Sequence, residues 1–208
     1  MSLKHITIGT LVAICALVAP AAAQKNEVSG ILGRTFISDQ GIQGAPAFDQ
    51  NLHFGKGLTF ELNYARRVLD ANLWSLSLEV PFVANVDEDI HSAQDTTPKQ
   101  FSSIFITPSA RLNAFPEQGL SPWISFGGGF GHFGDSSSLE FGGPYTGKTG
   151  TTVGAIQAGV GLDVKFFWKL RIRGEARDFF SGVPQLNVTT NKNWQHNIFV
   201  GGGVTWRF

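Results

Sequence analysis

Apolar and polar residues alternate one for one along most of this chain. The pattern is cleanest from Leu73 to Val83, where Trp74, Leu76, Leu78, Val80 and Phe82 share one side and Ser75, Ser77, Glu79 and Pro81 the other. A period of two is the mark of a β-strand with two chemically different faces. Gly57 to Arg67 repeats it, with Leu58, Phe60, Leu62 and Tyr64 opposed to Thr59, Glu61 and Asn63. So does Phe101 to Ala114, where Pro108 predicts a local bulge because proline has no N–H for the ladder. Further strands are expected over Ser121 to Phe133, through Ile156 to Val164, through Leu170 to Arg177, and from His196 to Phe208. A first strand, Glu27 to Phe36, completes a set of eight; its parity stays open because Ile31 and Leu32 are adjacent.

The connections between these strands alternate long and short. Long polar stretches run up to Lys56, from Ala84 to Gln100, up to Gly150, and from Gly182 to Trp194. Brief turns lie near Asp70, Gln118 and Trp168. That rhythm, with strands of about 10 residues, predicts an all-β fold: an eight-stranded antiparallel up-and-down transmembrane β-barrel with long extracellular loops and short periplasmic turns. Both chain ends then fall on the periplasmic side, and the stretches around Asp49, Asp89, Ser137 and Lys192 at the cell surface.

A soluble barrel would also alternate, but with its apolar face inward. The charges decide between the two. Glu61, Glu79, Arg111, Asp163, Arg171, Arg173, Glu175, Arg177 and Arg207 all fall on the polar parity. Arginine and carboxylate pair through a two-pronged fork, which suits a packed interior. On the lipid side an arginine at mid-height would cost ~2–4 kcal/mol. The aromatics agree: Tyr64, Trp74, Trp123, Trp168, Trp206 and Phe208 all come at the ends of strands expected to be periplasmic, as an interfacial girdle would.

Composition excludes more than it identifies. Sixteen basic residues balance sixteen acidic ones, so nothing in the net charge points to nucleic acid. At the amino end Lys4 and His5 precede an apolar run from Ile6 to Val18, followed by Ala21-Ala22-Ala23. These read as a cleaved secretory signal peptide over residues 1–23, leaving residues 24–208 as one barrel domain. The single cysteine, Cys15, lies inside that run, so the remainder has no thiol chemistry.

The last six residues, Gly203-Val204-Thr205-Trp206-Arg207-Phe208, close on a phenyl ring with a second hydrophobic residue two positions earlier. They resemble the carboxyl-terminal signal of bacterial outer-membrane β-barrels, with Gly203, Trp206 and Phe208 carrying the match. The resemblance implies recognition by the barrel assembly machinery. As a whole the alternation, loop rhythm and terminus resemble small outer-membrane barrels of the OmpA-domain, OmpX and OmpW kind. That likeness implies a monomer in the bacterial outer membrane, in contact with its lipid and lipopolysaccharide and holding no cofactor.

Candidate chemistry is sparse. Gly129-Phe130-Gly131-His132-Phe133-Gly134 fits G-x-G-x-x-G, but the dinucleotide fingerprint needs a helix directly after it, and Asp135-Ser136-Ser137-Ser138 leads into a loop. Glycines facing aromatics on a curved sheet explain it better. Asp87-Glu88-Asp89 with His91 and Asp95 could hold a divalent cation, although a solvated acidic loop is the simpler reading. Asn187-Val188-Thr189 matches a glycosylation acceptor, which a bacterial outer-membrane address discounts. His132 and His196 near the outer rim, with Ser136, Ser137 and Ser181, raise a lipid A acyl hydrolase or transferase, yet spacing alone supplies no base beside a nucleophile. The favoured expectation is a non-enzymatic barrel, structural or surface-interacting through its loops, with a lumen filled by side chains. A narrow OmpW-like route for small or apolar solutes is the alternative.

Overall fold

A computed structural model describes residues 25–44, 51–91, 98–139, 141–184 and 190–208. The expected signal-peptide segment, Asp49, Asp95 and the Asn187-Val188-Thr189 motif lie outside the described residues. Among the described residues eleven strands are formed: β1 (Asn26–Ile37), β2 (Gln40–Gly41), β3 (Asn51–Phe54), β4 (Leu58–Asp70), β5 (Trp74–His91), β6 (Gln100–Ile106), β7 (Ser109–Ala114), β8 (Leu120–Asp135), β9 (Gly150–Phe167), β10 (Leu170–Gly182) and β11 (Trp194–Arg207). β6 and β7 are two halves of one barrel strand. Each pairs with β5 on one side and β8 on the other.

The barrel is closed, antiparallel and eight strands around. β1 pairs with β4 on one side and with β11 on the other, from Glu27 opposite Arg207 to Ile37 opposite Asn197. Closure matters because an open edge in lipid would leave a row of N–H and C=O groups without partners. β2 and β3 form a small ladder beside the upper end of β5, with His53 opposite His91.

Proline does not bulge the wall at Pro108. Ile106 still pairs with Phe130 and Ser109 with Gly127, so β8 keeps equal length across the gap. The same holds against β5, where Phe82 pairs with Ile106 and Glu79 with Ser109. Thr107 and Pro108 only interrupt the strand between β6 and β7, and the Pro108 carbonyl still accepts from the Gly128 N–H of β8 at 3.2 Å. The register slips occur elsewhere, between Arg67 and Leu69 and between Asn85 and Glu88 among others.

Strand lengths show where the barrel stands in a membrane. A strand climbs roughly 2.5 Å per residue at a tilt of ~40°, so about 10 residues cross an apolar band ~25 Å tall. β5 and β9 each have 18 residues and β8 has 16, and all three start or finish in the short turns. Their surplus therefore projects beyond the band at the long-loop end. This corrects the expected loop from Ala84 to Gln100: Ala84 to His91 continue β5 as strand, and Gln100 already belongs to β6.

The faces follow the alternation. Outward stand Leu58, Phe60, Leu62, Leu78, Val80, Phe82, Ile124, Phe126, Val160, Ile172, Val200 and Val204, all exposed on the isolated chain. Inward stand the charges. Such a surface, apolar outside and ionic within, is stable only where lipid is the outer solvent. In β1 the open parity resolves with Glu27, Ser29, Ile31 and Thr35 inward and Val28, Leu32 and Phe36 outward.

Candidate functional site

The interior has two storeys. The lower one, at the short-turn end, holds five arginines and five acids, all buried: Arg111, Arg171, Arg173, Arg177 and Arg207 with Glu27, Glu61, Glu79, Asp163 and Glu175. Equal numbers matter, because an unmatched charge in a low-dielectric interior is costly. Arg173 grips Asp163 with both prongs, Nε to Oδ1 at 2.7 Å and Nη2 to Oδ2 at 2.8 Å. Arg177 reaches Glu175 at 2.7 Å, Glu79 at 2.8 Å and Glu61 at 3.2 Å. Arg111 joins Glu79 at 3.3 Å and also pairs with Glu27.

Glu27 is the hub that sequence reading missed. It accepts from Arg111, meets Arg207 at 2.6 Å and Arg173 at 3.4 Å, and is 3% exposed. Its strand gave no parity signal, since two apolar neighbours sit side by side at Ile31 and Leu32. Only the pairing of Glu27 opposite Arg207 brings it inward.

Trp123 corrects the expected girdle. It is 3% exposed and lies in the lumen, with the guanidinium carbons of Arg177, Arg173 and Arg111 at 5.1, 5.2 and 5.6 Å from its ring centre. The cause is parity: Ile124, Phe126 and Phe130 occupy the outward positions of β8, which leaves Trp123 inward. Three cations over one indole place positive charge against the negative faces of its quadrupole. Room for the ring comes from Gly161, where an added Cβ would run into it. The other aromatics stand on the outer wall at the short-turn end: Tyr64, Trp74, Trp168, Trp206 and Phe208 are all exposed. Trp168 meets Trp206 edge-on at 6.5 Å, and Tyr64 donates to the Asn26 side chain at 3.0 Å. Gly203, Trp206 and Phe208 of the terminal motif lie where β11 closes on β1, with Phe208 and Asn26 bonded through their backbones in both directions.

Beneath this network a turn, residues 115–119, folds across the lower mouth. The Pro116 carbonyl accepts from Arg171 at 2.7 Å and from Arg207 at 2.8 Å. Arg67 adds a 2.6 Å bond to Glu117 and a 3.0 Å bond to Asp70. The Arg67 hydrogen bond holds the Glu117 carboxyl below the usual carboxylate range.

The upper storey is apolar. Phe105 stacks on Phe179 at 4.7 Å and meets Phe133 edge-on at 5.8 Å, with Phe101, Phe199, Val83, Ile90 and Leu52 packed around them. Gly131 lets the Phe105 ring lie against β8, where a Cβ would come within 2.6 Å of it. The G-x-G-x-x-G run is thus part of a strand packed on phenyl rings, with strand continuing to Asp135. At the top of this cluster Asp135 is pushed by burial up to about 6, and neither carboxylate oxygen has a partner among the described residues.

The remaining candidates do not assemble. Among the described residues no group of three metal-ligating side chains forms. Glu88 is buried and accepts from the Gly57 N–H, whereas Asp89 and His91 are exposed on the other parity of β5. Ser181 points into the lumen, where Asn197 donates to it at 3.0 Å. His196 is outward and bound to Asp178 at 2.7 Å, so the wall separates it from Ser181. His132 bonds Thr152 at 2.8 Å, and Ser136 is engaged with the backbones of Gln100 and Ser138.

No family model matches the chain, and no curated protein sequence does. Solved structures do. The Neisserial surface protein A (NspA) is similar over 90% of this chain and 100% of its own, at 12% identity and a TM-score of 0.53. The outer membrane protein OprG from Pseudomonas aeruginosa is similar over 89% of this chain and 96% of its own, at 11% identity and a TM-score of 0.54. Closure in eight strands, the apolar outer wall and these two likenesses converge: the chain has the fold of the small bacterial outer-membrane β-barrels.

Proposed function

We propose that this chain is a non-enzymatic outer-membrane barrel that forms no steady pore and presents its upper rim and loops to the exterior as a structural or surface-interacting protein. The observation that carries the reading is the filled lumen: a charge-balanced network around Trp123 below and a phenyl cluster above. An eight-stranded barrel has an interior just wide enough to be filled in this way. An ion entering from below would have to displace the turn at Pro116 and then break buried ion pairs. The same proposal holds that residues 1–23 are removed on export, that the Phe208 terminus is read by the assembly machinery, that the barrel works as a monomer, and that its wall contacts lipid and lipopolysaccharide.

Planar-bilayer recording of the refolded protein tests it. Little or no steady conductance is expected. A reproducible open channel in every insertion would refute the sealed lumen and favour a narrow solute route instead.

A further inference from the structure

The outward parity of β1 carries one charged residue. Between Leu32 and Phe36 stands Arg34, exposed on the outer wall and paired across the sheet with Leu58 and Val200. Its Nη1 donates to the Lys56 carbonyl at 3.2 Å, while the Lys56 ammonium lies 5.7 Å from the centre of the Phe36 ring. Lys56 is held in place through its neighbour: the Gly57 N–H donates to Glu88 at 3.1 Å and the Gly57 carbonyl accepts from Thr35 at 3.4 Å. Among the described residues no carboxylate forms an ion pair with either cation, whereas Arg111, Arg173, Arg177 and Arg207 in the lumen all have one.

Height explains how this pair is tolerated. Arg34 is eight residues above Asn26, the lower end of β1. At roughly 2.5 Å of climb per residue it stands ~20 Å up a band ~25 Å tall. A cation on the lipid side costs ~2–4 kcal/mol at the midplane and only ~0–1 near an interface. Two cations without a carboxylate partner among the described residues face the outer-leaflet headgroups at that level, with Leu32, Leu58 and Phe60 directly below or beside them on the apolar wall.

We propose that Arg34 and Lys56 bind a phosphate carried by an acylated lipid of the outer leaflet, and that the Leu32, Leu58 and Phe60 surface takes one of its chains. The guanidinium fork matches two phosphate oxygens and the lysine adds a point charge. The site rests on the outer-membrane reading above and supplies its lipid partner with a chemical class: a phosphorylated, acylated amphiphile.

The test uses the full barrel refolded in detergent, with heat-modifiable gel migration as the check on folding. Binding of diphosphorylated lipid A is titrated against the same lipid with its phosphates removed, and against inorganic phosphate as a competitor. The wild type is expected to bind the phosphorylated lipid at least about tenfold more tightly than Arg34→Gln/Lys56→Gln, one tenfold step being the scale of a lost charge-assisted contact. Arg66→Gln, which removes a cation near the opposite rim, should leave binding unchanged. Equal binding by the double variant, or equal binding of the dephosphorylated lipid, would overturn the site. Competition by millimolar inorganic phosphate would overturn the lipid as its occupant. Failure of the wild type to migrate as a folded barrel would strike at the barrel reading itself, which separates the two failures.

Discussion

Replacing Glu27 by Gln removes one of the five acids of the lower storey while keeping the shape of the side chain. Three guanidiniums then lose a partner at once. Arg111 retains Glu79 at 3.3 Å and Arg173 retains its two-pronged grip on Asp163. Arg207 is stripped furthest, since its other acid, Asp163, stands 4.0 Å away. Breaking a buried pair by removing one partner costs about 3–5 kcal/mol, and the surviving contacts of Arg111 and Arg173 place Glu27→Gln near 3. Urea unfolding of the refolded barrel, followed by tryptophan fluorescence, measures this directly. A second substitution checks the cause: Arg207→Met on top of Glu27→Gln restores equal numbers of charges in the lower storey. The double variant should lose less than the sum of the two singles by more than about 1 kcal/mol. A loss below ~0.5 kcal/mol for Glu27→Gln, or strict additivity in the double variant, would refute the idea that charge balance holds the lower storey together.

Two further outcomes are expected. Burial pushes the Asp135 carboxyl, which projects beyond the apolar band, from the ordinary aspartate range up to about 6. A raised carboxyl pKa means the folded state holds its proton more tightly, so stability falls as pH rises from about 4 through 6. Asp135→Asn should therefore match the wild type at pH 4 and exceed it at pH 8 by roughly 1–2 kcal/mol after discounting for partial exposure; equal stabilities at pH 8 would contradict this. At the carboxyl end, Phe208→Ala removes an exposed interfacial ring, whereas Arg207→Ala removes a buried partner of Glu27. Outer-membrane fractionation should show reduced yield for Phe208→Ala, and urea unfolding should show reduced stability for Arg207→Ala; the reverse pattern would overturn the assignment of the two faces.

How much of this was legible in the sequence depends on contrast between the two faces of each strand. Where one face is apolar and the other charged, as in β4, β5 and β10, alternation alone identifies strand, parity and the inward direction of Glu61, Glu79, Arg173 and Arg177. The long-short rhythm likewise set the strand count and which ends meet. Where both faces carry similar residues the signal vanishes. Ile31 beside Leu32 hid the parity of β1, and with it Glu27, until β1 was paired with β11. Trp123 has an aromatic's expected place at a strand end, yet its neighbours Ile124 and Phe126 claim the outward positions and send it among the arginines. The acidic run after Val83 reads as loop because its polarity matches solvent, but above the membrane a strand can face water and still be held by its ladder. Composition and period are local properties of the chain. The hub at Glu27, the phenyl storey and the cation pair at Arg34 arise from residues far apart in sequence, and only closure of the barrel decides which of them meet.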